Sequence, residues 1–64
     1  MLAKLKLKRM QRGWTQTKFA SFLGVSPLTY CRYENEKIEL TKSTIDRILE
    51  IFDCKYEDIF REDD

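Results

Sequence analysis

A three-residue break, Gly-Val-Ser at 24–26, constrains the fold of this chain more than any other feature. It separates two segments, 16–23 and 27–35, whose apolar residues recur at helical spacing. Glycine reaches the left-handed backbone conformation that ends many helices, and a proline at the start of the following segment suits a helix N-terminus. Two short helices joined by a three-residue turn that contains glycine are typical of the helix-turn-helix arrangement.

Helical spacing of apolar residues extends through almost the whole chain, and no stretch alternates convincingly as a strand. We therefore predict an all-α fold, a compact bundle of five short helices whose second and third members form the helix-turn-helix. The predicted helices are 2–12, 16–23, 27–35, 42–52 and 56–61, with Thr15, Ser26 and Thr41 as N-caps. The side chains expected to face inward include Leu2, Leu5, Phe19, Ala20, Leu23, Ile45, Ile48, Leu49, Phe52, Ile59 and Phe60, with Met10 as a further candidate.

The length of 64 residues allows one domain, 1–64, in which we expect 60–64 to form a frayed acidic tail. The two cysteines, Cys31 and Cys54, form no CxxC pair, and the chain has no histidine, so no metal site is expected. We interpret them as free thiols of a reducing cytoplasm, with a structural disulfide as the alternative. No apolar run reaches the length of a signal-peptide core or a membrane span, so we expect a soluble, cytoplasmic protein that does not bind membranes.

Charge is distributed unevenly although the net charge is only +1. Residues 1–42 carry nine Lys or Arg and three Glu, a net of +6, whereas residues 43–64 carry three basic and eight acidic residues, a net of −5. This asymmetry is typical of a protein with a basic face for a polyanion and an acidic side turned away from it. An accident of charge placement in a small chain is the alternative.

The segment TQTKFASFLGVSPLTYCRYENE, residues 15–36, resembles the DNA-binding unit of the Xre family, the phage repressor and Cro-like (lambda-repressor-like) helix-turn-helix domains. The family pattern is carried by Thr15, Gln16, Phe19, Ala20, Gly24, Val25, Ser26, Tyr30, Glu34 and Asn35. STIDRILEIFDCKYEDIF, residues 43–60, is similar to the last two helices of the family, so the resemblance covers about residues 5–60. The sequence departs from the pattern at Glu36, where the family usually has glycine. This puts the local turn in doubt and places a negative charge near an expected phosphate.

The resemblance implies that the third helix enters the major groove of double-stranded DNA and contacts bases through Pro27, Leu28 and Arg32. The guanidinium of Arg32 can donate two hydrogen bonds to O6 and N7 of guanine, and Leu28 suits the methyl group of thymine. A solvated charge at Arg32 and an isolated exposed leucine at position 28 are the alternatives. Cys31, on or near the same side, is interpreted as a small surface residue, with a redox switch as the alternative.

The resemblance also implies phosphate contacts from the start of the second helix and the end of the third, where they position the protein without reading sequence. The residues concerned are Gln16, Thr29, Asn35, Lys37, Thr15, Thr17, Lys18 and Lys42; for Lys37 and Lys42 a solvated charge is an equal alternative. It further implies a structural pair between Arg9 and Glu34 that orients the third helix. Tyr30 stands where the family usually has isoleucine or valine, so its hydroxyl needs a partner or an outlet to water.

These observations indicate a sequence-specific, repressor-like transcriptional regulator of bacterial or phage origin that binds a two-fold operator as a homodimer. Phe52, Tyr56 and Phe60 are candidate dimer contacts, and each could instead belong to the core. The alternative function is a protein-interaction module on the same fold, such as an antitoxin, an anti-repressor or an adaptor. Because the chain shows no catalytic constellation, we expect no enzyme activity, no cofactor and no small-molecule ligand.

Overall fold

The computed structural model describes residues 1–61, and the regular secondary structure in that range is entirely helical. Its elements are α1 (Ala3–Gln11), α2 (Gln16–Leu23), α3 (Pro27–Glu34), α4 (Lys42–Phe52) and a 3₁₀ turn, Tyr56–Asp58. The prediction of an all-α bundle with a helix-turn-helix is confirmed, and the fifth predicted helix is a single turn. The backbone N–H of Lys55 donates to the carboxylate of Asp58 at 3.0 Å and closes that turn. Of the predicted frayed tail, residues 62–64 lie outside the described residues, and Phe60 is half-buried.

Three of the four α-helices begin at a hydroxyl N-cap, as the sequence predicts. The side chains of Thr15, Ser26 and Thr41 accept hydrogen bonds from the N–H groups of Lys18 at 3.0 Å, Thr29 at 3.2 Å and Thr44 at 3.2 Å. Each such cap satisfies a backbone donor that the helix itself leaves unpaired, and each typically contributes about 1 kcal/mol. The caps therefore define where α2, α3 and α4 start.

The four α-helices also end alike, in a pair of hydrogen bonds around one residue with positive φ. The positive-φ residues are Gly13 (φ 73°), Gly24 (φ 71°), Glu36 (φ 57°) and Asp53 (φ 50°). The next residue donates to a carbonyl five positions back: Trp14 to Arg9, Val25 to Ala20, Lys37 to Arg32 and Cys54 to Leu49, at 2.8–3.2 Å. The turn after α3 thus keeps the left-handed conformation although glutamate occupies it.

One buried cluster holds the helices together. Its members are Leu5, Phe19, Ala20, Tyr30, Tyr33, Ile48, Phe52 and Ile59. Phe19 lies at its centre, with its ring centroid 5.1–5.7 Å from those of Tyr30, Phe52 and Trp14. Cys31 and Cys54 are both free thiols, and no helix within residues 1–61 is long and apolar enough to cross a bilayer.

The expectation that Met10 faces inward is wrong, since 57% of this residue is exposed. The inward face of α1 is formed by Leu5 and, one turn later, by Arg9. Met10 is separated from Leu5 by about 140° around the helix axis at 100° per residue, so both cannot face the core. The apolar pattern of α1 was therefore misleading because a charged residue takes the second core position.

Candidate DNA-binding surface

The exposed part of the helix-turn-helix depends on the close packing of α3 on α2. Ala20 is fully buried, and its small side chain lets the two helices approach. Pro27 is the first residue of α3, and Ser26 binds the first turn twice. The Ser26 hydroxyl accepts from the N–H of Thr29 at 3.2 Å and lies 2.9 Å from the Thr29 hydroxyl. These contacts set the position and direction at which α3 begins.

The inner face of α3 is anchored by an ion pair with α1. Nε of Arg9 donates to Oε2 of Glu34 at 2.8 Å, and Nη2 lies 3.5 Å from Oε1. Nη1 of Arg9 donates to the backbone carbonyl of Trp14 at 2.6 Å. Both side chains are more than nine-tenths buried. The pair implied by the resemblance is therefore formed, and it ties the end of α3 to α1 and to the turn after it.

The Arg9 guanidinium keeps Glu34 ionised in this buried place. Burial alone would raise the pKa of Glu34, but the hydrogen bonds and attraction from Arg9, together with interactions with Tyr30 and Gln16, outweigh burial and leave the pKa below its ordinary value. Gln16 contributes a further hydrogen bond, with Nε2 3.4 Å from Oε1 of Glu34. The buried carboxylate thus binds the start of α2 as well as α1.

Tyr30, next to this pair, has a fully buried side chain whose hydroxyl finds no hydrogen-bond partner within residues 1–61. The sequence predicted either a partner or an outlet to water; the hydroxyl has no outlet, and it interacts with the Glu34 carboxylate without a hydrogen bond of ordinary geometry. Burial raises the pKa of the phenol well above its ordinary value, and the nearby Glu34 carboxylate raises it further. Tyr30 is therefore neutral, and its ring fills the space behind α3.

The outer face of α3 presents the residues expected to contact bases. Leu28 is 60% exposed, Pro27 is exposed beside it, and Arg32 is exposed one turn after Leu28 on the same face. Among residues 1–61, the guanidinium of Arg32 has no hydrogen bond or ion pair. The structure thus places the N–H donors of one unpaired guanidinium next to one large apolar side chain on the surface.

The expected phosphate contacts at the start of α2 have different surroundings from one another. The Thr15 hydroxyl is occupied by its capping bond, whereas Thr17 is exposed. The Nζ atom of Lys18 lies 5.6 Å from the centroid of the Phe22 ring, an attraction between a cation and an aromatic face. Gln16 remains half-buried through its contact with Glu34.

The expected contacts after α3 also separate into paired and unpaired side chains. Nδ2 of Asn35 donates to the carbonyl of Cys31 at 2.9 Å and lies 3.4 Å from its sulfur. Nζ of Lys42 forms an ion pair with Asp46 at 3.1 Å. The exposed side chain of Lys37 forms no hydrogen bond or ion pair with the part of the chain that the structure describes. Lys37 is thus the cation most available to an anion at this end of α3.

Comparison with known proteins identifies the fold. Residues 5–59 match the helix-turn-helix family. The chain belongs to the Xre-like helix-turn-helix family. Antitoxin HipB of Escherichia coli strain K12 is 37% identical to it over 46 residues, which cover 72% of this chain and 52% of that protein. The chain therefore spans about half the length of this curated relative. The family membership supports a DNA-binding, non-enzymatic regulator.

Two contacts of this helix-turn-helix protein were not found from its sequence. One is the carbonyl of Trp14, which accepts from Arg9, and a backbone acceptor leaves no sequence signal. The other is the Lys18–Phe22 contact, which the spacing of four residues in a helix does indicate.

Proposed function

We propose that this protein is a sequence-specific, repressor-like transcriptional regulator that inserts α3 into the major groove of bacterial or phage DNA in the cytoplasm. The observation that supports this most is the exposure of Leu28 and Arg32 on one side of a helix whose other side is held by buried contacts. Arg32 would donate to guanine O6 and N7, Leu28 would contact a thymine methyl group, and Pro27 would add shape.

Phosphate contacts would hold α3 in register on the duplex. Gln16 lies at the start of α2, where unpaired N–H groups and the helix dipole favour an anion. Asn35 and Lys37 lie just after α3, so they would bind the backbone on the other side of the groove. Thr15, Thr17, Lys18, Thr29 and Lys42 are the further members of this group.

A homodimer would place two copies of α3 about 34 Å apart, one turn of DNA. Of the candidate dimer contacts, Phe52 is buried in the core and does not fit this role. Tyr56 is exposed and stacks on the half-buried Phe60, with ring centroids 5.0 Å apart. These two rings border a groove also lined by Leu2, Glu36, Lys37, Ile38, Glu39, Leu40 and Ile45. This groove is the surface we propose for the dimer contact.

The experiment that tests the function is selection of bound fragments from random duplexes, followed by gel-shift titration of the selected site. The change Arg32→Ala should lower specific affinity about 5- to 150-fold, or ~1–3 kcal/mol, and relax the preference at one base pair. Arg61→Ala is the matched control, since Arg61 is exposed and lies outside the helix-turn-helix. Unchanged discrimination in Arg32→Ala would refute this assignment of α3.

Phosphate contacts give a different signature in the same assay. Gln16→Ala should weaken binding to all duplexes alike, because a phosphate contact carries no sequence information. Each neutralised phosphate also contributes a fall of about 0.9 in log K per unit of log salt concentration. A variant that lost discrimination instead would place Gln16 at a base.

The alternative, a protein-interaction module of the antitoxin, anti-repressor or adaptor kind, is favoured by one observation, the likeness to Antitoxin HipB. The salt titration separates the two functions. Duplex binding that weakens steeply with salt supports the DNA-binding function. Failure to bind any duplex at low salt would support the alternative.

A further inference from the structure

The two oxygens of the buried Glu34 carboxylate are held unequally. Oε2 accepts from Nε of Arg9 at 2.8 Å, an ordinary distance for a charged pair. Among residues 1–61, the hydrogen bonds to Oε1 are long, from Nη2 of Arg9 at 3.5 Å and from Nε2 of Gln16 at 3.4 Å. Glu34 is only 2% exposed, so bulk water has little access to it. Oε1 therefore has the capacity to accept a better hydrogen bond than it receives.

Tyr30 carries a suitable donor on the same side of α3. It precedes Glu34 by four residues, so the two side chains are neighbours on the helix. Its buried hydroxyl makes no hydrogen bond of ordinary geometry within residues 1–61, yet it interacts with the Glu34 carboxylate. A buried hydroxyl in this condition destabilises the folded protein. Tyr30 thus holds an unused donor beside an oxygen that lacks a good one.

Gln16 has two uses for one side-chain amide. In the free protein its Nε2 group lies against Glu34, and the side chain is half-buried. The phosphate contact proposed for Gln16 would draw the same amide outward. If one nitrogen bonded both groups, the phosphate and the carboxylate would lie within about 5 Å of each other and would repel. Phosphate binding should therefore withdraw Gln16 from Oε1.

We infer that Tyr30 is a positioning residue for DNA binding, whose hydroxyl donates to Oε1 of Glu34 when Gln16 leaves that oxygen for a DNA phosphate. This inference rests on the proposed DNA-binding function and adds to it a residue that does not touch DNA. The exchange keeps Oε1 hydrogen-bonded in the complex, so that Glu34 continues to hold α3 while Gln16 binds. The hydroxyl that is unsatisfied in the free protein becomes satisfied in the complex.

Arg9 is less suited to replace Gln16 at this oxygen. Its Nε and Nη1 atoms are already engaged, at 2.8 Å with Oε2 of Glu34 and at 2.6 Å with the carbonyl of Trp14. A movement of the guanidinium toward Oε1 would lengthen these two shorter bonds. The hydroxyl of Tyr30 already interacts with the same carboxylate and rotates freely about its C–O bond. A small shift of Tyr30 therefore completes the exchange.

The test is a double-mutant cycle in duplex affinity with wild type, Tyr30→Phe, Gln16→Ala and the double variant. Gel-shift titrations at one fixed, low salt concentration would use the selected operator and an unrelated duplex. Tyr30→Phe should weaken binding to both duplexes by about three- to tenfold, because the exchange serves a phosphate contact. In the Gln16→Ala background the same change should alter affinity by less than about twofold, since no Gln16 amide has to be replaced.

Tyr33→Phe is the matched control, because it removes a hydroxyl from another buried tyrosine of α3. Its affinity for both duplexes should equal that of wild type. Circular dichroism of each variant establishes that the compared proteins are folded.

Urea unfolding of the four proteins of the cycle gives a second readout, one that a merely structural tyrosine would not change. In the wild-type background Tyr30→Phe should raise stability, because the hydroxyl is unsatisfied in the free protein. In the Gln16→Ala background the hydroxyl can bond Oε1 without DNA, so Tyr30→Phe should lower stability there. The effect of one substitution should thus reverse its sign between the two backgrounds.

Three outcomes would overturn the inference and leave the DNA-binding function in place. The first is equal weakening of duplex binding by Tyr30→Phe in both backgrounds, or no weakening in either. The second is weakening for the selected operator alone, which would connect Tyr30 to a base contact. The third is a stability effect of the same sign in both backgrounds. Failure of the wild-type protein to bind any duplex at low salt would instead refute the proposed function, and this inference with it.

Discussion

The inner and outer faces of α3 belong to the same eight-residue helix but are maintained by opposite kinds of contact. The inner face holds Tyr30, Tyr33 and Glu34, all buried, whereas Leu28 and Arg32 on the outer face are exposed. Changes to buried, paired groups alter stability, and changes to exposed groups seldom do. Substitutions on the inner face should therefore change the free energy of unfolding, and substitutions on the outer face should change the affinity for DNA.

The largest expected effect comes from breaking the buried ion pair on the inner face. Glu34→Gln leaves the Arg9 guanidinium buried without its counter-charge, which typically costs about 3–5 kcal/mol. A domain of this size has a net stability of only about 3–5 kcal/mol, so the variant should be largely unfolded at 25 °C by circular dichroism. Glu50→Gln is the control and should have little effect, since that carboxylate is exposed and its pair with Arg47 is long, at 3.5 Å. A fully folded Glu34→Gln would show that the pair does not maintain α3.

The same pair predicts how stability depends on pH. The pKa of Glu34 is lower in the folded protein than in the unfolded chain, because Arg9, with Tyr30 and Gln16, outweighs the opposing effect of burial. Its stabilising contribution is therefore complete above the unfolded pKa, about 4.3, and is lost as pH falls through the lower, folded value. The free energies of unfolding of wild type and Glu34→Gln can be compared by urea unfolding, with added osmolyte to populate the folded variant. The difference between the two should become smaller below that pH. A difference independent of pH would contradict a depressed pKa.

On the outer face, Leu28→Ala should reduce affinity for the selected operator by about 1 kcal/mol and relax preference at a thymine. Its free energy of unfolding should change by less than about 0.5 kcal/mol, because the side chain is exposed. The matched control is Leu7→Ala, which removes an equally exposed leucine from α1 and should leave DNA affinity unchanged. If both variants lost affinity equally, the loss would not report a base contact.

A smaller effect of opposite sign is expected at Tyr30 on the inner face. Tyr30→Phe removes a buried hydroxyl that makes no hydrogen bond of ordinary geometry within residues 1–61, so the variant should be more stable by about 1 kcal/mol in urea unfolding. Tyr33→Phe is the matched control, since Tyr33 retains some exposure and its loss should be close to neutral. Destabilisation by Tyr30→Phe would mean that the hydroxyl is satisfied in the folded protein, in the first place by the Glu34 carboxylate.

The sequence predicted most of the fold because local signals agreed with one another. Hydroxyl caps at Thr15, Ser26 and Thr41 coincide with helical apolar patterns, so the starts of three helices were correct. The outward exposure of Leu28 and Arg32 followed from their spacing in α3. Met10 was misassigned because periodicity cannot show that a charged residue occupies a core position, as Arg9 does here.

The remaining features depend on tertiary structure. A hydroxyl such as that of Tyr30 is satisfied or unsatisfied only by what packs around it, and residues distant in sequence decide this. Residues 56–61 do not form the predicted fifth α-helix for a different reason. Six residues are too few for a stable α-helix without extensive packing, and a 3₁₀ turn with one side-chain bond, from Lys55 to Asp58, takes its place.

The smallest effect is expected where the two faces of α3 end, at Glu36. Its φ of 57° is costly for a residue with a Cβ, by roughly 1 kcal/mol, yet the paired hydrogen bonds that close α3 are formed around it. Glu36→Gly should relieve that strain and raise stability by up to about 1 kcal/mol.

The control is Glu36→Gln, which keeps the Cβ but removes the charge and its exposed 2.6 Å ion pair with the α-amino group of Met1. Because both variants lose the ion pair, their difference in urea unfolding isolates the backbone effect. Both should bind all duplexes slightly more tightly, since each removes a carboxylate next to the phosphate contacts proposed for Asn35 and Lys37. If Glu36→Gly were no more stable than Glu36→Gln, backbone strain would not explain the departure from glycine at this position. If both variants then bound DNA more tightly, the negative charge of Glu36 would be the only effect of having glutamate in place of glycine.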